Sequence, residues 1–163
     1  MTGPDQLNTM EDLPAGFRFD PSLASRMMTR HGHGGWLDLT YQTHGADWVE
    51  LVLPWRGELV GVADTGVLAS GPIISLMDNA TSMAVSTLAG KFIAHATLDL
   101  RVAYMRAAVP GRAVVGRAVV GHGECYKLTR TIAFIRGTAH DGDPGDPVAH
   151  VTGTFMATHG TYL

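Results

Sequence analysis

Cysteine is nearly absent from this chain: Cys125 is the only one in 163 residues. That excludes a disulfide framework and leaves a small buried hydrophobe as the natural reading of Cys125, because no neighbour in sequence lowers its pKa. Basic clusters are absent too. The formal net charge is -3 and Lys and Arg are scattered, so nucleic acid is not an expected partner. Charged residues make up 17% and hydrophobic residues 45%, a balance that excludes disorder and favours one well-buried domain. No uncharged apolar run reaches the ~18 residues of a membrane span. Met1 to Asp20 carries Asp5, Glu11 and Asp12 and no apolar core, unlike a signal peptide. These absences predict a cytoplasmic protein without a membrane partner.

What is present has a clear order. Residues 1–35 read as an N-terminal arm in which Pro21 to Arg30 suit a short helix. His31-Gly32-His33-Gly34-Gly35 is a break; His31 and His33 have no third ligand in clear spacing, so no metal is expected there. Residues 36–163 read as a single α+β domain. Trp36 to Tyr41 and Trp48 to Trp55 are expected strands, and Asp64-Thr65-Gly66 is a turn. A long helix follows. Beyond it, Phe92 to Met105 alternates with a period of two, and strands are expected at Arg112 to Val120, Leu128 to Arg136 and Val148 to Thr158. Consecutive strands with short turns imply an antiparallel sheet, and one helix apolar on most sides must be wrapped by it.

The helix itself runs from Pro72, which suits a first helical position, to Gly90, which suits a left-handed stop. Ile73, Ile74, Leu76, Met77, Ala80, Met83, Ala84 and Leu88 cover most of its surface. Ser75, Asp78, Asn79, Ser82 and Ser86 form one polar stripe. A carboxylate on such a helix is costly unless it is hydrogen-bonded, neutralised or used, which singles out Asp78 for chemistry. The bland alternative is that Asp78 only bonds Ser82 or a strand. Free N–H groups at the first turn, from Ser70, Gly71 and Ile73, can hold a developing oxyanion, and Gly71 permits close approach of a ligand. The apolar helix with Met77 suits an adaptable apolar ligand. So much apolar surface on a small sheet predicts an oligomer.

The pieces Gly66-Val67-Leu68-Ala69-Ser70-Gly71, Leu76-Met77-Asp78-Asn79-Ala80, Thr97-Leu98-Asp99-Leu100, Tyr104-Met105 and Pro110-Gly111, in this order and spacing, resemble the hotdog-fold acyl-CoA thioesterases of the phenylacetyl-CoA thioesterase (PaaI-like) branch. The resemblance covers roughly Trp36 to His159. It implies a hotdog fold, a sheet curled around the helix, and homodimers or dimers of dimers (homotetramers) with sites at the subunit interface. It also implies an acyl-CoA substrate, with coenzyme A as part of that substrate and no separate cofactor. Asp78 stands at the family's acid position, and Thr97 at a strand position where relatives carry a small hydroxyl residue near the acid. Two positions depart from the pattern. Ala69 replaces the family's histidine, with Ser70 at its first glycine. Ala63, with Asp64 beside it, replaces an asparagine linked to placement of water or thioester.

Hydrolysis of an aryl or medium-chain acyl-CoA, with Asp78 as nucleophile or general base, is the reading these residues favour. Asn79 reads as structural or substrate-facing. Arg101, Arg106 and Arg112 either meet the phosphates of coenzyme A or remain solvated strand-end charges. Two alternatives stand beside it: a non-catalytic acyl-CoA binder, and a hotdog hydratase or dehydratase acting on enoyl thioesters, which would pair a histidine with the acid.

Overall fold

The computed structural model describes residues 18–28, 32–109 and 118–163. The expected Pro110-Gly111 corner, Arg112, His31 and residues 1–17 of the arm lie outside them. The elements in order are α1 (Pro21–Met28), α2 (Gly32–Trp36), β1 (Thr40–His44), β2 (Trp48–Pro54), β3 (Val60–Val62), β4 (Val67–Leu68), α3 (Ser70–Ala89), β5 (His95–Tyr104), β6 (Ala118–Leu128), β7 (Ile132–His140) and β8 (Ala149–Ala157). β1, β2, β6, β7, β8 and β5 form one antiparallel sheet in that order, and α3 packs against it. β3 and β4 make a separate small ribbon just before α3. The α+β architecture is the expected one.

The core lies between α3 and the sheet. Val49, Leu51 and Leu53 alternate inward along β2, as do Ala133 and Ile135 on β7 and Val151 and Phe155 on β8. From α3, Ile73, Leu76, Met77, Ala80, Met83 and Ala84 meet them. Burial is less complete than the sequence implied, since Ile74 and Leu88 remain exposed. α1 is capped by Asp20, whose Oδ1 accepts from the Ser22 N–H at 2.8 Å. Ahead of it, the Phe19 N–H donates to the Gly90 carbonyl at the far end of α3.

Three boundaries differ from expectation. The glycine-rich segment before Trp36 forms the short helix α2, and the first strand starts at Thr40. The second long strand does not stop at Val120; it continues through Gly121-His122-Gly123 to Leu128. These glycines are not turn formers. A Cβ at Gly123 would lie 2.5 Å from the Ala80 carbonyl carbon and the Thr81 nitrogen, so α3 crosses β6 where only glycine leaves room. The next strand consequently begins at Ile132, after a hairpin in which the Thr129 hydroxyl and the Ile132 backbone bond each other at 2.9 Å. β5 pairs with β8 and not with β6, its neighbour in sequence, which makes β5 one edge of the sheet.

β5 also carries a bulge between Thr97 and Asp99. Thr97 pairs with the buried Phe155, and Asp99 pairs with Thr154. The extra residue shifts the alternation, so His95 and Thr97 face α3 together with Leu100, Val102 and Tyr104. A simple period of two placed His95 and Thr97 on the opposite face. Among the described residues, no helix is long and apolar enough to cross a membrane.

The close crossing gives a first prediction. Gly123→Ala is expected to destabilise the fold by more than about 2 kcal/mol, because the added methyl meets helix backbone that cannot yield. Gly57→Ala, where a Cβ meets nothing within 4 Å, is expected to stay within about 0.5 kcal/mol. Equal urea midpoints for the two variants would contradict the packing described.

Candidate active site

The start of α3 is built as an open cradle of donors. Ala69 is the cap residue, in extended conformation (φ -64, ψ 154) and without a side-chain cap. Its own N–H is taken by the Leu59 carbonyl at 2.8 Å. Ordinary helix pairing directs the Ile73 N–H at the Ala69 carbonyl. Pro72 therefore stands third in the helix and not first, and it has no N–H. That leaves Ser70 and Gly71 as the free backbone donors of the first turn. Ser70 and Gly71 are exposed, and a Cβ at Gly71 would meet nothing within 4 Å, so a ligand can come up against this backbone. The Tyr104 hydroxyl, reaching from β5, donates to the Ser70 carbonyl at 3.0 Å and steadies the turn.

Two turns further on, Asp78 is half-buried. Its Oδ1 accepts a 2.8 Å hydrogen bond from the Thr97 hydroxyl. The neighbouring polar groups are committed elsewhere. Asn79 Nδ2 donates to the Ser75 carbonyl at 2.8 Å, and the Thr81 hydroxyl donates to the Met77 carbonyl at 2.8 Å. The Ser75 hydroxyl lies 3.2 Å from His33 Nε2. One turn beyond Asp78, the Ser82 hydroxyl and His95 Nε2 lie 2.8 Å apart. Asp78–Thr97 and Ser82–His95 are thus two parallel rungs between α3 and β5. Four helical residues advance about 6 Å and two strand residues about 6–7 Å, so the rungs match in spacing.

Burial holds the His95 imidazole below its ordinary pKa, with the Asp78 charge pulling the other way. Its ring also sits edge-on to Phe155 at 5.0 Å between centroids. Cys125, buried on β6, has its thiol pushed up to about 12 by burial and is no nucleophile at neutral pH.

The other candidate residues do not gather at Asp78. Met77 is fully buried, and its sulfur packs where β6 carries Gly121. Ala63 and Asp64 are exposed in the turn between β3 and β4. Arg101 lies between the inward-packed Leu100 and Val102 and so occupies the outer face of the sheet, away from α3. Arg106 is engaged by Asp141 at 2.9 Å and by Asp146 at 2.9 Å, and so ties the segment after β5 to the loop between β7 and β8. His95, Ser82 and Tyr104 were not among the sequence-predicted site residues. The signal for the second rung was available: Ser82 follows Asp78 by four on a helix, and His95 precedes Thr97 by two on a strand.

The profile of the thioesterase superfamily matches residues 65–148. Among solved structures, a protein from Pseudomonas aeruginosa is 35% identical, with 83% of this chain and 96% of that one covered and a TM-score of 0.71. A thioesterase family protein from Silicibacter pomeroyi (23% identical, 86% and 100% covered, TM-score 0.72) shares the fold. So does zebra fish thioesterase superfamily member 2 (18% identical, 83% and 94% covered, TM-score 0.69). No curated protein matches the sequence.

The buried imidazoles predict a pH effect on stability. His95 and His140 are both held below the ordinary histidine value, chiefly by burial. As pH falls through about 6.5 the unfolded chain takes up these protons and the folded chain does not, so stability declines on the acid side of that value. Asp20, Glu124 and Asp141 are also shifted down, but they act only below about pH 4. The urea midpoint is therefore expected to fall between pH 7 and 5, and the His95→Gln, His140→Gln double variant to flatten that slope. An unchanged slope in the variant would assign the effect to other groups.

Proposed function

This chain belongs to the thioesterase superfamily, and we propose that it is a cytoplasmic acyl-CoA thioesterase of the PaaI-like branch. The observation that carries the reading is the 2.8 Å bond from Thr97 to Asp78, which holds a half-buried carboxylate on α3 facing β5. One carboxylate oxygen receives the threonine hydroxyl. The carboxylate then either attacks the thioester carbon or takes a proton from the attacking water. The oxyanion that develops is met by the free N–H groups of Ser70 and Gly71 and by the positive end of α3. Coenzyme A enters as part of the substrate and leaves as the thiol. An aryl or medium-chain acyl group suits the apolar walls of the helix.

The same geometry supports a shared site. Ser70 and Asp78 are eight residues apart on one helix, about 12 Å along its axis, too far to act on one carbonyl. A homodimer that brings the first turn of one copy to the acid of its partner joins the two halves. The edge strand β5 and the exposed Tyr104, Met105 and Val109 offer a surface for such pairing, singly or as a dimer of dimers. The hydratase alternative needs a histidine on the acid. His95 is instead bonded to Ser82, and Thr97 is the partner of Asp78, which favours hydrolysis.

Asp78→Asn keeps shape and removes charge; it is expected to lower kcat for acyl-CoA hydrolysis by ~10²–10⁴ with acyl-CoA still bound. Gly71→Val fills the open space beside the donors and is expected to abolish turnover with folding intact. A shared site adds a sharper outcome. Mixing and re-equilibrating the two inactive variants is expected to restore about a quarter of parental activity, since half the dimers are hybrids with one intact site each. No recovery on mixing, with hybrids shown by mass spectrometry, would place both halves in one chain. Full activity of Asp78→Asn would make the acid structural. A parent that binds acyl-CoA but releases no thiol from a broad panel would be a binder.

A further inference from the structure

β5 is an edge strand of 10 residues without a proline, bonded to β8 on one side only. The N–H and C=O groups along its other side form an open template for a further strand. Two exposed charges of opposite sign stand on its outer face. Asp99 points outward, because it accepts the hydroxyl of Thr154, which lies between the inward Gly153 and Phe155 on β8. Arg101 follows it by two and shares that face. Among the described residues no carboxylate engages Arg101, whereas Arg136, two strands further in, is taken by Glu124 at 2.8 Å. An edge with one acid and one base two places apart is complementary to itself when run antiparallel.

The charges choose among the ways of pairing. A two-fold axis normal to the sheet sets β5 against a second copy of itself, and residues directly opposite must share a face. The axis therefore passes through a residue, not between residues. Centred on Arg101, it sets guanidinium against guanidinium; centred on Asp99, carboxylate against carboxylate. Both are unfavourable. Centred on Leu100, it sets each Asp99 against the Arg101 of the other copy, twice over, with Leu100 against Leu100 on the helix face.

This choice uses nothing about the site, yet it completes the site. Leu98 and Asp99 share one position at the bulge, so Val102 falls opposite Thr97, and Tyr104 opposite His95, of the second copy. Tyr104 holds the Ser70 carbonyl, and Thr97 holds Asp78. The open helix start of one copy thus comes within two strand positions, about 7 Å, of the strand residue that holds the other copy's acid.

We propose that β5 pairs with β5 of a second copy in the register centred on Leu100, and that two Asp99–Arg101 ion pairs across the axis fix that register and so align the shared site. Asp99 and Arg101 are positioning residues. The proposal rests on the thioesterase reading only for what the aligned groups do.

Arg101→Asp turns both attractions into repulsions on an exposed face. It is expected to raise the dimer dissociation constant of the full chain about tenfold, and by less in high salt. Asp99→Arg is expected to do the same, and both changes in one chain to return the parental value. Mixed together, the two single variants are expected to form hybrids in preference to either homodimer, read by native mass spectrometry. Leu100→Cys is expected to cross-link to itself on mild oxidation, since opposite Cα atoms in such a pair lie within disulfide reach, and Ala103→Cys is not. The charge variants read the register even if Leu100→Cys folds poorly. A monomeric parent, a dissociation constant unmoved by Arg101→Asp, hybrids in random proportion, or cross-linking at Ala103→Cys in place of Leu100→Cys overturns the proposal. Assembly that obeys the charge swaps in a parent that releases no thiol from acyl-CoA would uphold the register and sink the thioesterase reading. Thiol release by a parent whose assembly ignores the swaps would do the reverse.

Discussion

The contact on which the rest of this structure depends is the crossing of α3 over β6 and β7, where helix backbone lies against strand backbone. Gly121, Gly123 and Gly137 are buried there, and a Cβ on any of them would come within 3 Å of Leu76, Ala80 or Met77. This fixes both the depth and the rotation of the helix. Leu76, Met77 and Ala80 are spent on the sheet, so the stripe that carries Asp78 and Ser82 turns toward β5, the edge strand. An alanine-width gap at the crossing would let the helix roll, and a rotation of one residue moves a side chain by about 100° around a helix.

The second constraint is the β5 bulge, which answers the cost of placing a carboxylate on this helix. A half-buried Asp needs hydrogen-bond partners. Its helix neighbours cannot supply one: the Asn79 amide and the Thr81 hydroxyl both bond helix backbone. The donor has to come from the strand. The apolar residues Leu100 and Val102 already claim the helix-facing side of β5, and a regular strand would turn Thr97 away. One extra residue between Thr97 and Asp99 lets the same strand present apolar groups at one end and hydrogen-bonding groups at the other.

Much of this was legible in the sequence, and what was not follows a pattern. The apolar surface of α3, its polar stripe, the stop at Gly90 and the alternation of β2 and β8 are local signals, and the fold keeps them. Asp78 could be singled out because a lone acid on an apolar helix is anomalous without any neighbour being known. The errors arose where tertiary contact reassigns a local signal. The strand expected to end at Val120 runs on through Gly121 and Gly123, which thin it beneath a helix. His95 looks outward because a bulge leaves no mark in a period of two, whereas the family resemblance alone sets Thr97 near the acid. Arg106, which the sequence leaves as either a phosphate contact or a solvated strand-end charge, is engaged by Asp141 and Asp146, 35 and 40 positions away, which no local pattern connects to it.

The missing cap at Ala69 is where fold and chemistry meet most directly. A side-chain cap at this position would occupy an N–H of the first turn and lower the free energy of the helix by ~1 kcal/mol. This chain forgoes it. Pro72 removes a further donor, and the Ala69 N–H is held by Leu59. The two donors left, Ser70 and Gly71, lie where a Cβ on Gly71 meets open space, so their hydrogen bonds await a partner from outside the helix. The Tyr104 bond to the Ser70 carbonyl compensates in part by anchoring the turn through its acceptor and leaving the donor side clear. A helix start tied down by its carbonyl and left open at its N–H groups has donors free for an incoming anion, and the acid two turns away lies about 12 Å further along the same helix axis.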